Sequence, residues 1–186
     1  MQVGLINMNP TKKPEAFVET LQSLQCNVQL VDATELPSST VLETIRSSSI
    51  QKWIFTGSSF HIYDKDAPTI SMELLDLPDK EYFFICYSME YVLHQLGYPV
   101  LRRKKNKKET FLFSHPTHYM KSPASLYRNH HYYIPAETIR HTGQYEGETM
   151  IVFYKQACMT QFHPEKTEDG KQMLFVWLHQ TAKPVK

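Results

Sequence analysis

The chain has 186 residues, an almost balanced charge and few cysteines, and these properties argue against several classes of protein. Its 20 basic and 19 acidic side chains give a net charge of +1, which provides no overall attraction to nucleic acid or to an anionic membrane. Three cysteines are too few for a disulfide framework and suit a reducing compartment. The sequence shows no evident signal peptide and no apolar run as long as a membrane span. We therefore expect one domain over residues 1–186, located in the cytoplasm.

In the first hundred residues, short apolar strands alternate with helices. The predicted strands are Val3–Ile6, Val28–Val31, Trp53–Phe55 and Tyr82–Ile85, and the predicted helices are Thr11–Gln25, Ser39–Arg46 and Ser88–Leu96. Apolar strands that alternate with helices predict a parallel sheet covered on both faces.

The second half of the sequence predicts mainly strands. These are Thr110–Phe113, Tyr132–Ile134, Met150–Tyr154 and Ala157–Phe162, followed by a last helix at about Gly170–His179. The predicted fold is a three-layer α/β domain, in which a mostly parallel central sheet is flanked by helices and carries an antiparallel extension.

A run of basic residues, Arg102–Lys108, lies between the two halves. Charge runs are usually solvated, so we predict a connecting loop here. A docking patch for a partner or for a nucleotide phosphate is the alternative interpretation.

Cys86 is the first candidate for a reactive group, because it follows an apolar strand and precedes a helix. A strand-to-helix elbow presents a nucleophile at the carboxyl edge of a parallel sheet, where ligands bind in α/β folds. The helix N-terminus also lowers the pKa of a thiol. Free cysteine is, however, among the most buried residue types, so position alone also allows a structural cysteine.

His163 and Glu165 strengthen the catalytic interpretation. His163 ends the predicted strand Ala157–Phe162, and Pro164 separates it from Glu165. A histidine at a strand end in this sheet is expected to face the same rim as Cys86. Glu165 can then orient the imidazole and stabilise its protonated form, as in other triads of nucleophile, base and orienting carboxylate.

Four motifs in the expected order resemble the class I glutamine amidotransferase family. The motifs are Gln161-Phe162-His163-Pro164-Glu165, the elbow Ile85-Cys86-Tyr87-Ser88-Met89-Glu90, the segment Phe55 to Pro68 with Asp64 and Ala67-Pro68, and Arg128-Asn129-His130-His131. The segment from Gly57 to Pro68 looks most like the amidotransferase part of GMP synthetase. The segment Arg128–His131 looks instead more like the amidotransferase part of anthranilate or aminodeoxychorismate synthase.

The resemblance implies a catalytic triad of Cys86, His163 and Glu165 that hydrolyses glutamine to glutamate and ammonia. It also implies an oxyanion hole formed by backbone N–H groups. We expect those of Gly57, Ser58 and Tyr87 to form it, and we expect Glu90, His130 and His131 to bind the substrate. No cofactor is implied. Ammonia is passed to a synthase in this family, and the chain length suits a separate amidotransferase subunit, so we expect a synthase partner.

The sequence departs from the family pattern around the predicted triad. Phe84 and Ser88 replace glycines that flank the nucleophile, and Glu90 replaces a glutamine that usually touches the substrate. In the oxyanion turn, Ser58 replaces a glycine and Ser59 a proline. A hydrolase of another γ-glutamyl or amide substrate, or a catalytically silent binding protein, is therefore the alternative.

The remaining histidines and cysteines give no strong signal. His115 and His118 are three residues apart, but Pro116 interrupts the segment and no cysteine lies near, so we predict no metal site. Cys26 and Cys158 are predicted to pack in the core.

Overall fold

Nine strands and four helices make up the protein in a computed structural model that describes residues 1–11, 13–140 and 142–180. The strands are β1 (Gln2–Asn7), β2 (Asn27–Asp32), β3 (Lys52–Phe55), β4 (Glu81–Ile85), β5 (Leu101–Phe113), β6 (Ala124–Tyr133), β7 (Gly143–Tyr145), β8 (Glu148–Tyr154) and β9 (Ala157–Thr160). The helices are α1 (Glu15–Ser23), α2 (Ser38–Ser47), α3 (Tyr87–Gln95) and α4 (Glu168–His179), with short 3-10 turns at Met72–Asp76, Ala136–Thr138 and Pro164–Lys166.

Seven of these strands form the central sheet, in the order β2-β1-β3-β4-β9-β8-β7. Strands β2, β1, β3, β4 and β9 are parallel to one another, and β8 and β7 continue the sheet by antiparallel pairing. This arrangement confirms the predicted mostly parallel sheet with an antiparallel extension. Because β4 pairs with β9, the segment that follows each of these two strands reaches the same edge of the sheet.

Two apolar clusters cover the two faces of the sheet. One contains Val41 of α2 and Val92 of α3, and the other contains Phe17 of α1 and Trp177 of α4. Burial of such side chains is the main favourable contribution to folding. None of the helices in the described ranges is long and apolar enough to span a membrane.

The basic run Arg102–Lys108 lies in a strand, so the prediction of a connecting loop was wrong. It belongs to β5, which pairs with β6 in a separate two-stranded antiparallel sheet. Register is lost between Arg102 and Lys107, which pair with Tyr132 and His130. Four residues of β5 therefore lie opposite one residue of β6. A bulge lets a strand continue while its extra residues remain unpaired with the neighbouring strand. Most residues of the basic run are exposed to solvent.

Arg128 of β6 is fully buried and joins this two-stranded sheet to the central sheet. Its guanidinium binds Glu148 of β8 at 3.1 Å and also pairs with Glu109 and Glu146. The aromatic ring of Tyr145 lies 4.9 Å from the guanidinium carbon. A buried cation requires such partners, because an isolated charge in the interior is strongly disfavoured.

Candidate active site

Cys86 occupies a strained turn between β4 and α3. Its φ is 51° and its ψ is −107°, a conformation that residues with a side chain rarely adopt. The Cys86 backbone N–H donates to the carbonyl of Thr160 on β9 at 2.7 Å, which fixes the turn against the neighbouring strand. The sulfur therefore lies at the N-terminus of α3, as the sequence predicts for an elbow cysteine.

The two unusual residues that flank Cys86 fit the turn for different reasons. The hydroxyl of Ser88 donates to the Thr56 carbonyl at 2.6 Å, which ties α3 to the turn after β3. Phe84 is fully buried among aromatic side chains, with its ring centroid 4.9 Å from that of Phe55. Phe84 is not among the residues that line the cavities beside Cys86.

His163 follows β9, and the backbone of β6 holds it in place. Its N–H donates to the Tyr127 carbonyl at 2.8 Å. His163 Nδ1 lies 3.1 Å from Glu165 Oε1, and both side chains are largely buried. This contact has the geometry expected of a base and the carboxylate that orients it.

Gly57 lies against both Cys86 and His163. A Cβ atom at Gly57 would lie 3.1 Å from His163 Cε1 and 3.4 Å from Cys86 Cβ. Neither Gly57 nor Ser58 has a positive φ, so backbone freedom is not the reason for a glycine here. The reason is space, because a side chain at Gly57 would press against Cys86 and His163. Ser58 therefore bears no backbone strain of the kind that a positive φ imposes, although it replaces a glycine of the family pattern. Tyr87 begins α3 directly after Cys86.

The charges of the three predicted triad residues depend on one another. Burial raises the pKa of Cys86, while His163 lowers it. Burial opposes the protonation of His163, yet the carboxylate of Glu165 and the side chain of Cys86 together outweigh it and raise the pKa of His163 well above its ordinary value. Burial also favours neutral Glu165, but His163, with smaller contributions from a backbone hydrogen bond and from Lys166, outweighs it and lowers the pKa of this carboxyl. The arrangement therefore favours the imidazolium form that a thiolate needs beside it.

A cavity of about 160 Å³ opens beside Cys86 and contains Glu90 in its lining. Glu90 is only 4% exposed, and burial raises its pKa to about 7. Gln161 Nε2 donates to Glu90 Oε1 at 2.8 Å and lies 3.7 Å from Cys86 Sγ. The predicted substrate residue Glu90 thus faces the same space as the sulfur.

His130 and His131 also line this cavity, but their surroundings differ. His130 is buried, its Nδ1 lies 2.7 Å from the Tyr132 carbonyl, and its Nε2 lies 3.5 Å from Glu148 Oε2. Burial lowers the pKa of His130 to about 4, so its ring is neutral near pH 7. His131 is exposed and lies edge-on to His61, with ring centroids 5.7 Å apart.

A second, larger groove of about 560 Å³ lies on the other side of the Gly57–Ser58 turn. His163 and Glu165 line it, together with three lysines, Lys13, Lys108 and Lys166. Ser58, Ser59 and Asn129 border both this groove and the smaller cavity. The predicted triad therefore lies between two openings.

Sequence reasoning missed three residues beside the sulfur. Gln161 belongs to one of the motifs but had no predicted role, although its side chain reaches both Glu90 and Cys86. The Asn129 carbonyl lies 3.7 Å from Cys86 Sγ. His61 reaches the cavity from the loop after β3, and no pattern in the sequence indicates this. Within the described ranges, no group of three or more potential ligand residues could hold a metal ion.

Solved structures of three other proteins share this fold at low sequence identity. One, a protein from Thermoplasma acidophilum that is provisionally assigned to GMP synthase as one of its subunits, has a TM-score of 0.69 and 15% identity over 95% of this chain and 92% of its own. A glutamine amidotransferase from Thermotoga maritima has a TM-score of 0.64 and 14% identity over 89% of this chain and 76% of its own. The PurLQS structure from Thermotoga maritima has a TM-score of 0.62 and 11% identity over 95% of this chain and 97% of the matched chain.

At these identities the structural likeness establishes the fold alone. Among curated proteins, none matches the chain. The family model described as glutamine amidotransferase class-I, however, matches residues 14–181. This range is most of the chain, and the protein therefore belongs to the class I glutamine amidotransferase family.

Proposed function

We propose that the protein hydrolyses the side-chain amide of glutamine to glutamate and ammonia, with Cys86 as nucleophile, His163 as base and acid, and Glu165 as the residue that orients His163. The strained elbow at Cys86 is the observation that carries this proposal, because the thiol at the elbow lies within hydrogen-bonding reach of an imidazole that already pairs with a carboxylate. Backbone strain of this kind persists where the surrounding structure enforces it, often at active sites.

In the proposed first step, the Cys86 thiolate attacks the amide carbon and the carbonyl oxygen becomes an oxyanion. Backbone N–H groups of Tyr87, Gly57 and Ser58 are proposed to stabilise that oxyanion. Protonated His163 then gives its proton to the leaving nitrogen as the C–N bond breaks. Ammonia leaves, and a thioester between Cys86 and the glutamyl group remains.

In the second step, water attacks the thioester while neutral His163 takes a proton from it. The C–S bond breaks, glutamate leaves and Cys86 returns to its starting form. Glu165 keeps the imidazole in one orientation and stabilises its charge in both steps.

Release of glutamate from glutamine tests the proposal directly. We expect release by the purified protein, alone or with a synthase partner, and we expect Cys86→Ala to abolish it. Cys158→Ala is the control, since Cys158 is also buried but lies in β9. No glutamate release under either condition would contradict the proposal.

Covalent labelling gives a second, independent test of the nucleophile. A glutamine-like diazo-ketone is expected to modify Cys86 and to leave Cys26 and Cys158 unmodified, as read by peptide mass spectrometry. Modification at either of the other two cysteines would overturn the assignment of Cys86. An unlabelled Cys86 would favour a catalytically silent binding protein.

We further propose that the ammonia passes to a separate synthase, and that the system resembles GMP synthetase. The Gly57–Pro68 segment supports this choice, and one structural neighbour is provisionally assigned to GMP synthase. The alternative, anthranilate or aminodeoxychorismate synthase, rests on Arg128–His131, but Arg128 is buried in ion pairs. Stimulation of glutaminase activity by one purified synthase and not by the others would identify the system.

Another γ-glutamyl or amide substrate is the second candidate, because Glu90 replaces a glutamine that usually touches the substrate. A buried carboxylate in the cavity changes the recognition of the amino-acid end of a substrate, which favours an amide whose end differs from that of glutamine. Faster hydrolysis of such an amide than of glutamine would establish this alternative.

We also propose a cytoplasmic location, because Cys26, Cys86 and Cys158 are all free thiols.

A further inference from the structure

The basic run Arg102–Lys108 concentrates positive charge at one place on a nearly neutral protein. Six of its seven residues are lysine or arginine, whereas the whole chain has a net charge of +1. Arg103 and Lys107 form ion pairs with Glu148 and Glu146. Within the described ranges, the other four basic side chains of the run form no ion pair. The run therefore carries positive charge that the protein itself does not compensate.

The exposed lysines in the middle of the run are held in place from both sides. Lys104 and Lys105 belong to the part of β5 that is out of register with β6. Before them, Arg103 pairs with a buried glutamate of β8, and after them, Asn106 Nδ2 donates to Asn129 Oδ1 at 2.8 Å. The two lysines are therefore presented on a backbone that is fixed at both ends, which reduces the entropy lost when a partner binds.

The positive charge borders both openings of the proposed active site. Asn106 lines the cavity beside Cys86, and Lys108 lines the larger groove. Lys13 and Lys166 line the same groove, and both are exposed. Three separate segments of the chain thus place lysines around one groove, next to the lysines of the bulge.

The carboxylates at the two openings do not compensate this charge. Among the described residues that line them, Glu90 and Glu165 are the two carboxylates. Glu90 is buried, and Glu165 is largely buried and pairs with His163. The exposed charges in the described linings are therefore all positive. Such a surface attracts negatively charged molecules from a distance.

The shape of this surface indicates which kind of anion it fits. Lys104 and Lys105 are exposed and line neither opening. A nucleotide phosphate usually binds where several backbone N–H groups converge, at a helix N-terminus or in a concave turn. Exposed lysines spread along a strand and around a groove instead match carboxylates that are spread over another protein surface.

The basic rim consists of five exposed lysines, Lys13, Lys104, Lys105, Lys108 and Lys166. We propose that the basic rim is the docking surface for an acidic surface of the synthase partner. This inference rests on the separate synthase of the proposed function and specifies the chemistry of its contact surface. Aspartate and glutamate side chains of the synthase pair with the lysines, and the docked synthase covers both openings of the site.

Binding to purified synthase subunits tests the docking surface. The probes are the synthase subunits of GMP synthetase, anthranilate synthase and aminodeoxychorismate synthase from the same organism, tested one at a time. We expect one of them to bind with an association rate that falls as salt is added, because salt screens exposed charges. The double variant Lys104→Glu with Lys105→Glu should lower that rate at least about tenfold, since steering by complementary charge is lost. An association rate that the double variant leaves unchanged would overturn the docking surface.

The double variant Lys121→Glu with Lys155→Glu is the matched control, because it changes the net charge by the same amount. Lys121 is exposed in the loop between β5 and β6, at the end of the hairpin opposite to the bulge. Lys155 is exposed in the turn before β9, at the edge of the sheet opposite to the elbow. We expect its association rate to stay within about twofold of the unaltered protein, since these charges lie outside the contact. An equal fall in both double variants would overturn the docking surface.

Zero-length crosslinking with a carbodiimide identifies the groups in contact. The reagent joins a lysine amine to a carboxyl group that lies against it, and peptide mass spectrometry then locates both residues. We expect crosslinks between lysines of the basic rim and aspartate or glutamate residues of the synthase. Crosslinks from Lys121 or Lys155 in place of the basic rim would contradict the proposal.

A nucleotide or a nucleic acid is the competing occupant of the basic rim. The probes are ATP and a short single-stranded RNA, each measured with the unaltered protein at physiological salt. We expect both to bind more weakly than the synthase. If either binds as tightly as the synthase, and Lys104→Glu with Lys105→Glu abolishes that binding, the basic rim is a phosphate-binding surface and the protein partner is wrong.

The outcomes separate this inference from the proposed hydrolysis. If the protein releases glutamate but binds none of the three synthases, the docking surface is wrong and the hydrolysis stands. If a synthase binds through the basic rim but no glutamate is released and a diazo-ketone does not label Cys86, the hydrolysis is wrong and the docking surface stands.

Discussion

Cys86 and Arg128 are both buried, but the region around Arg128 is linked to the central sheet by ion pairs as well as by apolar packing. The elbow at Cys86 joins a parallel strand to a helix, with apolar layers on either side of the sheet. Arg128 lies in the β5–β6 hairpin, where carboxylates from β5, β8 and the β7–β8 turn surround its guanidinium. The hairpin also packs Phe111, Phe113 and Leu126 into the apolar cluster on one face of the sheet, so charge pairing there adds to apolar packing.

The two regions have different roles at the site. The elbow region carries the nucleophile, and it depends on hydrogen bonds to distant parts of the chain, from Cys86 to Thr160 and from Ser88 to Thr56. The hairpin supplies Asn129, His130 and His131, which line the cavity beside the sulfur. Substitutions in the elbow region should therefore first change activity, and substitutions in the hairpin network should first change stability.

The largest effect is expected for His163→Asn. Loss of the base should lower kcat for glutamine hydrolysis by about 10²–10⁴-fold, the usual contribution of general acid–base catalysis. Steady-state glutaminase assays measure this change. Urea unfolding should also show a lower stability, because Glu165 stays largely buried without its cationic partner. A variant that retains full activity would remove His163 from the proposed mechanism.

Arg128→Ala should have the largest effect on stability. It removes one of the two arginines that pair with buried Glu148, the other being Arg103, and loss of one partner of a buried ion pair costs about 3–5 kcal/mol. Because Arg103 remains beside Glu148, we expect a loss near the lower end of that range. Urea unfolding monitored by tryptophan fluorescence measures the change. An unchanged free energy of unfolding would show that the network is not held by charge pairing.

Gly57→Ala tests whether activity in the elbow region depends on the space beside His163. The new methyl group would lie 3.1 Å from His163 Cε1, so the imidazole must shift by a few tenths of an ångström. The rate should fall, but by less than the roughly 10²-fold that a displacement of about 1 Å at a reacting group can cause. Gly97→Ala is the control: it has a φ of +90° with no atom within 4 Å of the new Cβ, so it should lose about 1–2 kcal/mol of stability and keep its activity. Equal activity of the two variants would contradict the role given to Gly57.

The smallest effect is expected at the start of α4. Thr167 Oγ1 accepts a hydrogen bond from the Gly170 N–H at 3.2 Å, and loss of such a cap costs about 1 kcal/mol. Thr167→Ala should therefore unfold at a slightly lower urea concentration, and Thr167→Ser should restore the original midpoint. Unchanged stability of Thr167→Ala would show that the cap contributes nothing.

The parallel part of the fold could be predicted because each of its units is local. A short apolar run followed by apolar residues at helical spacing predicts each strand and helix from β1 to α3. The predicted bounds differ from the observed ones by a few residues, as for the helix predicted at Thr11–Gln25 and observed at Glu15–Ser23. The elbow at Cys86 follows from the same pattern. The pairing of β4 with β9 then brings the segment after each strand to one edge of the sheet.

The hairpin could not be predicted in the same way. Its first strand contains Arg102–Lys108, and the preference of charged residues for solvent says nothing about pairing with a strand further along the chain. Strand β7, with three residues, was missed because so short a segment has no readable period. The hairpin forms part of the cavity wall, so the contact of Asn129 with the sulfur could be located only from the structure.

Gly170 restricts how this protein can be made more heat-resistant. Replacing a helical glycine with alanine is a common way to stabilise an enzyme. At Gly170, however, an added Cβ atom would lie 2.3 Å from the Pro164 carbonyl oxygen, in the turn between His163 and Glu165. Helix α4 and that turn must therefore separate before any larger residue fits. An engineering programme that optimises helix content alone would select this substitution and displace the histidine turn with it.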